Sequence, residues 1–290
     1  MSRNSLINWG VFILLSIIWG SAFIVMKESA RELNGYQIAS VRIFFAGPVF
    51  LPFALFHLRS VPAKKIPIII LSGLLGNLFP AFLFAIAIEN KVSSSMAGIL
   101  NSLTPLFVIV IGILFFRSKV QLKKIAGVLV GFIGLLILSL SKGGVEVSNF
   151  WFTMMILVAT LMYGVNVNVV SHYLKDVDPI KMATISLAFI AIPAAVVTVQ
   201  QNIVSIAQYD ESARWSIAAA ALLGIVGSAI ATALFYILIK RAGGLFASLV
   251  TYGIPVIAIL WGVWAGEEVT MIQVSCLVMI LAGVYLANRS

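Results

Sequence analysis

Arg42 is the one charge set well inside an apolar run of this sequence, about 10 Å from the start of that run at 1.5 Å per residue. A guanidinium there offers a planar fork suited to a carboxylate. It could equally snorkel to a headgroup layer, or pair with Glu28 or Glu89 near the same end. Other apolar runs carry amides, hydroxyls and rings at helical spacing. Asn101, Thr104 and Val108 follow i, i+3, i+7, and Ser248, Thr251, Tyr252 and Pro255 follow i, i+3, i+4, i+7, so each set shares one helix face. Further candidates are Asn77 with Pro80 and Ala81, Tyr163 with Asn166, and Ser228, Thr232 and Phe235. The rings of Trp19, Phe79 and Tyr163 could stack on a ring-bearing solute. The same polar groups can also act as hydrogen-bonding glue between helices in lipid, and both readings stay open.

The acids are as informative by their positions. No Asp or Glu falls in the middle of an apolar run. A charge at a helix centre costs about 2.5–3.5 kcal/mol on insertion scales, so those that persist usually mark function. A carrier of cations driven by proton exchange would be expected to keep such a carboxylate, which argues against cationic cargo. Glu28, Glu89 and Glu267, near one surface, stay open as coupling acids. His57 and His172 sit at run ends without carboxylates nearby in sequence, and no zinc or phosphate-cradling motif appears. Neither a metal, a cofactor nor enzymatic chemistry is expected. The single cysteine, Cys276, excludes an intrachain disulfide and reads as a packing residue.

The elements that must hold these residues follow from composition. Of the 290 residues, 61% are hydrophobic and 10% charged, and the mean hydropathy is +1.11. A soluble globule would carry nearer a quarter of charged residues, so this is a polytopic membrane chain with little left for a soluble domain. Uncharged runs place spans near 8–27, 36–57, 66–88, 92–116, 123–141, 150–173, 180–200, 214–239, 243–265 and 269–288. Trp9 to Met26 lacks an obvious cleavage site and is read as a retained first helix rather than a signal peptide. Between Gln201 and Arg214, Ile203, Ile206 and Tyr209 at helical spacing suggest an interfacial turn. The net charge of +9 comes from short clusters between runs, which fits topology rather than a nucleic-acid partner. Thirteen Lys and Arg fall in one set of alternate loops and termini and five, including Lys142 and Arg214, in the other, which expects both termini to be cytoplasmic.

The chain also repeats itself. Ala97 to Gly112 and Ala247 to Gly262 share Ala, Pro, Ile and Gly at matching offsets. Gly73 and Gly76 match Gly224 and Gly227, Phe84 matches Phe235, Trp19-Gly20 resembles Tyr163-Gly164, and Gly134 matches Gly283, all at offsets of 144 to 151. Five spans per half is an odd number, so the second half is expected upside down relative to the first, with a site near the midplane between them. Pro105 and Pro255 lack the N–H that would bond the carbonyls of Asn101 and Thr251. Those two residues then correspond across the repeat, with each proline a candidate hinge.

These features, with the Trp19-Gly20-Ser21-Ala-Phe23 start, Arg42, the Ala97–Pro105 and Ala247–Pro255 segments and Gly266-Glu267-Glu268, resemble the EamA-type family of the drug/metabolite transporter superfamily over essentially the whole chain. One departure stands out: the Gly-Glu pair that tends to follow the fourth span of each half is replaced in the first by Phe116-Arg117. The resemblance implies an all-α polytopic fold in which spans one to four and six to nine surround a cavity, with five and ten peripheral. It also implies carriage of small metabolites, often amino acids and commonly outward. Residues 1–142 are expected to form the first repeat and 143–290 the second. The expected activity is transport of a small neutral or zwitterionic metabolite by alternating access, in a bacterial inner membrane, by a monomer embedded in lipid. A membrane-embedded enzyme and a structural or sensory subunit are the alternatives.

Overall fold

The computed structural model describes residues 3–92, 94–141, 150–264 and 270–288, and among them there is helix and turn but no strand. In chain order, α1 is Arg3–Ser29, α2 is Gly35–Ala46 bent into Leu51–Arg59, α3 is Ala63–Glu89, and α4 is Met96–Phe116. Then come α5, Leu122–Ser141; α6, Phe150–Tyr173; α7, Pro179–Gln200; α8, Glu211–Ala242; α9, Gly244–Trp261; and α10, Met271–Asn288. Eight of these are long and apolar enough to cross a membrane, and the two parts of α2, bent by 61°, pass the same test together. The remaining one, α5, has 20 residues. Large apolar side chains such as Leu55, Phe56, Phe115 and Trp264 project outward, as lipid-facing residues do. Phe107, also within an apolar run, is half-buried against Gly164.

Local chemistry sets the ends and breaks. Asn34 and Gln37 form a reciprocal capping box at the start of α2, and a Glu89 carboxylate oxygen accepts the Gly35 N–H at 2.7 Å. Between α7 and α8 lies the short helix Ile203–Tyr209, where spacing suggested an interfacial turn; Ile203 is buried and Tyr209 exposed. Arg214 closes it by donating to the carbonyls of Ala207 and Gln208 at 2.7 and 3.0 Å.

Two pairs of helices depart from regular winding at related places. α3 carries a π-helical segment at Leu74–Leu78 and α8 one at Leu223–Ile230, each containing a Gly of the repeat. α4 breaks at Ser102–Leu103 and α9 at Leu249. In α4 the cause is visible. Pro105 cannot donate to the Asn101 carbonyl, and the Thr104 hydroxyl bonds it instead at 2.6 Å. In α9 the Thr251 hydroxyl donates to the Ser248 carbonyl at 2.9 Å. In both broken helices a threonine hydroxyl thus bonds the third carbonyl back beside the break. The prolines themselves differ: Pro105 lies in the first turn after the break, where it is tolerated, whereas Pro255 lies inside the helix Val250–Trp264.

α5 and α10 pack chiefly on each other. A Cβ on Gly127 would lie 2.7 Å from the Gly283 carbonyl, so small residues let the two backbones touch. The two ends of the bundle stay separate. At one, Arg241 donates to Asn8 and Asn4 at 3.0 and 3.3 Å, Lys65 pairs with Asp176 at 2.8 Å, and Lys240 donates to the Val177 carbonyl. The Lys65 hydrogen bond holds the Asp176 carboxyl below the usual carboxylate range. At the other, Arg31 pairs with Glu28, Ser216 donates to the Glu28 carbonyl, and Asn34 donates to Gln201. Each group joins loops that span alternation assigns to one side. Lys142, Arg289, Gly266-Glu267-Glu268 and the expected 142/143 boundary lie outside the described residues.

Candidate functional site

A cavity of about 120 Å³ lies between α1, α2, α3, α4, α6, α8 and α9. Its walls come from corresponding parts of the two halves. Trp19 meets Phe235 edge-on, ring centroids 5.3 Å apart, and Phe84 stacks with Tyr163 at 6.2 Å. Trp19 and Tyr163 correspond in the repeat, as do Phe84 and Phe235, so the two aromatic pairs are one arrangement used twice. Gly76 and Gly227 from the π-helical segments line the cavity as well. The Gly227 carbonyl accepts the Trp19 indole N–H at 3.1 Å, which orients that ring. Asn101 and Thr104 from α4 and Ser248 and Thr251 from α9 form two polar steps at the broken helices.

Polar groups of three kinds converge. Arg42 reaches the cavity from α2, its Nε donating to the Ser228 hydroxyl at 2.9 Å. Among the described residues no carboxylate pairs with it: Glu28 is engaged by Arg31, and Glu89 by the Gly35 N–H. Asn77 accepts a hydrogen bond from Thr232 at 2.9 Å, joining α3 to α8. Asn101 and Asn166 are buried, and each has a side-chain carbonyl oxygen without a partner. Asn166 lies against Gly76, where a Cβ would collide with its amide nitrogen.

Of the candidates read from sequence, Trp19, Arg42, Asn77, Asn101, Thr104, Tyr163, Asn166, Thr232 and Thr251 line this one cavity. Three do not. Phe79 is 46% exposed and points outward, because its neighbour on the inner face of α3 is Phe84, five residues on. Tyr252 is fully buried against Gly131, its hydroxyl donating to the Val128 carbonyl at 2.9 Å, and so ties α9 to α5. Ser228 stands behind Arg42 without lining the cavity. Pro105 and Pro255 flank the polar steps. Sequence reading missed Tyr236 and the apolar Ala22, Met26, Val167 and Ile254. Tyr236 sits four residues after Thr232, so the helical face already flagged would have found it; the aliphatic residues carry no such signal. Away from the cavity, His172 bonds the Asn168 carbonyl at 2.9 Å and Ser118 at 3.2 Å, bracing α6 against the end of α4. His57 lies between Phe53 and Phe56.

A multi-helix membrane bundle around a polar and aromatic cavity defines a class of proteins that handle small solutes. The chain belongs to the EamA-like transporter family, whose profile matches residues 8–140 and again 150–289. It is 25% identical over 284 residues to an uncharacterized transporter of Archaeoglobus fulgidus, covering 97% of this chain and 99% of the relative. It is 26% identical over 271 residues to the uncharacterized inner membrane transporter YedA of Escherichia coli K12, covering 92% and 85%. A solved crystal structure superposes with a TM-score of 0.71 at 19% identity over 99% of this chain and 97% of that one, a likeness of fold. This is therefore a multi-pass membrane transporter.

Proposed function

We propose that the protein is a secondary transporter, an exporter from a bacterial cytoplasm, which moves a small neutral or zwitterionic metabolite such as an amino acid by alternating access. Adding α2 and α5 to the eight long helices makes ten spans, and the matched π-helical segments, aromatic pairs and broken helices support two inverted five-span repeats. The basic end of the bundle then faces the cytoplasm with both termini. The repeats meet near residues 142 and 143, and the breaks beside Pro105 and Pro255 let half-helices tilt. The protein acts as a carrier rather than an enzyme, without a cofactor, and as a monomer in lipid.

One observation carries the reading of the cargo. The cavity holds the Arg42 guanidinium together with two buried amide oxygens, on Asn101 and Asn166, that lack donors. An unpaired buried acceptor costs about 1–3 kcal/mol, so these oxygens favour a solute that brings N–H or O–H groups. The guanidinium favours a carboxylate on the same solute. Ammonium-bearing carboxylates satisfy both demands, and the aromatic pairs cover the remainder.

The test is thermal stabilisation of the purified protein by a metabolite panel, followed by counterflow in proteoliposomes. Zwitterions should give the largest shifts, and Asn101→Ala, Asn166→Ala and Tyr163→Ala should each diminish them. A purely cationic best ligand, or shifts indifferent to these substitutions, would refute the placement of the site.

A further inference from the structure

A second cavity lies between α6, α7, α8 and α9 at the basic end of the bundle, lined among others by Ser171, Lys175, Met182, Lys240 and Gly244. Tyr236 lines both cavities. Its side chain is 1% exposed, so the ring fills the space between them. We propose that the second cavity is the basic-end vestibule of the transport path, and that Tyr236 is the barrier between vestibule and central site. This rests on the carrier function proposed above.

The chemistry of the barrier suits repeated opening. The Tyr236 hydroxyl is hydrogen-bonded to the Ser72 hydroxyl of α3 at 2.7 Å. One hydroxyl on α8 thus ties that helix to α3 where the path must part. Such a bond is worth only about 0.5–1.5 kcal/mol net, and water or cargo can replace it.

The barrier is also thin and placed at one end. Tyr236 lies four residues before Lys240, about 6 Å along the helix, whereas Phe84 lies five residues before Glu89 at the opposite end. The central cavity thus extends most of the way across the bundle, and Tyr236 closes its basic end. Beyond it, the Ser171 hydroxyl oxygen is buried without a partner, and Lys175 and Lys240 give the vestibule a positive mouth. Gly243, at φ +88, makes the turn from α8 to α9 beside that mouth, a backbone conformation that side chains other than glycine rarely adopt. It joins the helix carrying Tyr236 to the segment that seats on α6.

Cysteine labelling tests the barrier without reference to transport. In a Cys276→Ser background, Ser171→Cys reports the vestibule and Thr232→Cys the central cavity. A membrane-impermeant maleimide is applied from the basic end in oriented vesicles. Ser171→Cys should label whatever stands at position 236. Thr232→Cys should label slowly, and Tyr236→Ala should speed it by ~10-fold or more, the ratio expected when a contact worth about 1.4 kcal/mol is lost. Tyr236→Phe, which keeps the ring and loses only the hydroxyl bond, should fall between, and so should Ser72→Ala, which removes the bond from the other helix. Unchanged Thr232→Cys labelling in all three variants, or an unreactive Ser171→Cys, overturns the proposal. Counterflow on the same variants separates the two readings: labelling that responds while no metabolite exchanges would retain the barrier and remove the carrier function.

Discussion

Gly224 of α8 packs on Arg42 of α2, and Gly73 of α3 packs on Ser186 of α7. Gly224 and Gly73 are separated by 151 positions and Arg42 and Ser186 by 144, within the range of offsets at which the sequence repeats. The same close approach of helices therefore occurs twice, with a cation at one place and a hydroxyl at the other. The surroundings follow that difference. Arg42 is braced by Ser228 and opens onto the cavity, while Ser186 turns to its own helix, bonding the Ala183 carbonyl at 3.1 Å. Duplication supplies the walls, and under the proposed function divergence at equivalent points would supply a charged recognition group in one half and a closing group in the other. Tyr236 shows the same divergence, because the equivalent position in the first half is Ala85, at the offset that relates Phe84 to Phe235. A carrier that must bind one solute and face two ways benefits from such asymmetry.

The largest expected effect comes from removing the charge. Hydrogen bonds to charged groups are worth about 1.5–3 kcal/mol, so Arg42→Ala should weaken carboxylate-bearing ligands by roughly 10- to 100-fold. Arg42→Lys should recover only part, since an ammonium lacks the planar fork. Titrating thermal stabilisation by a carboxylate and by its uncharged amide checks this. Equal loss for both ligands would show that Arg42 supports the cavity without reading the charge, and the comparison with Ser186 would lose its meaning.

Next come the glycines. A Cβ on Gly224 would overlap the Arg42 carbonyl oxygen, a backbone atom, whereas one on Gly73 would sit 3.0 Å from the Ser186 Cβ and carbonyl. Overpacking of this kind costs about 1–3 kcal/mol. Gly224→Ala should therefore lower the melting temperature in detergent more than Gly73→Ala does. It should also weaken carboxylate binding, because it pushes α2 and its guanidinium away. If the two glycines respond alike, the approaches are equally tolerant and the tighter fit at Arg42 has no functional consequence.

How much of this was legible in sequence depends on the kind of signal. Eight of the spans were, because lipid demands long uncharged runs, and the basic clusters sorted the loops into the two groups that meet at opposite ends. Trp19, Tyr163 and the three amides were legible because polar and aromatic groups are conspicuous in such runs. Phe79 was misplaced because one aromatic in a helix is visible in sequence while its face is not, and here Phe84 holds the inner face. Tyr252 lay on a polar face that also borders α5, and only packing shows that Gly131 makes room for its ring. The π-helical segments left only a hint, in the paired glycines, since a wider turn has no side-chain signature of its own.

The finest test compares two serines. Ser228 accepts the Arg42 Nε–H at 2.9 Å, and nothing else about it touches the cavity. Ser186 makes the corresponding close approach but has no cation to hold. Removing the Ser228 hydroxyl leaves the guanidinium charged and still in the cavity, so the loss is one of orientation and one hydrogen bond, about 1 kcal/mol or roughly 5-fold in carboxylate affinity. Ser186→Ala should leave that affinity unchanged. Ser228→Thr, which retains a hydroxyl, should rescue binding if orientation is the cause. Were both serines to shift affinity equally, Arg42 would be positioned by packing alone, and the division of labour between the halves would have to rest on Tyr236.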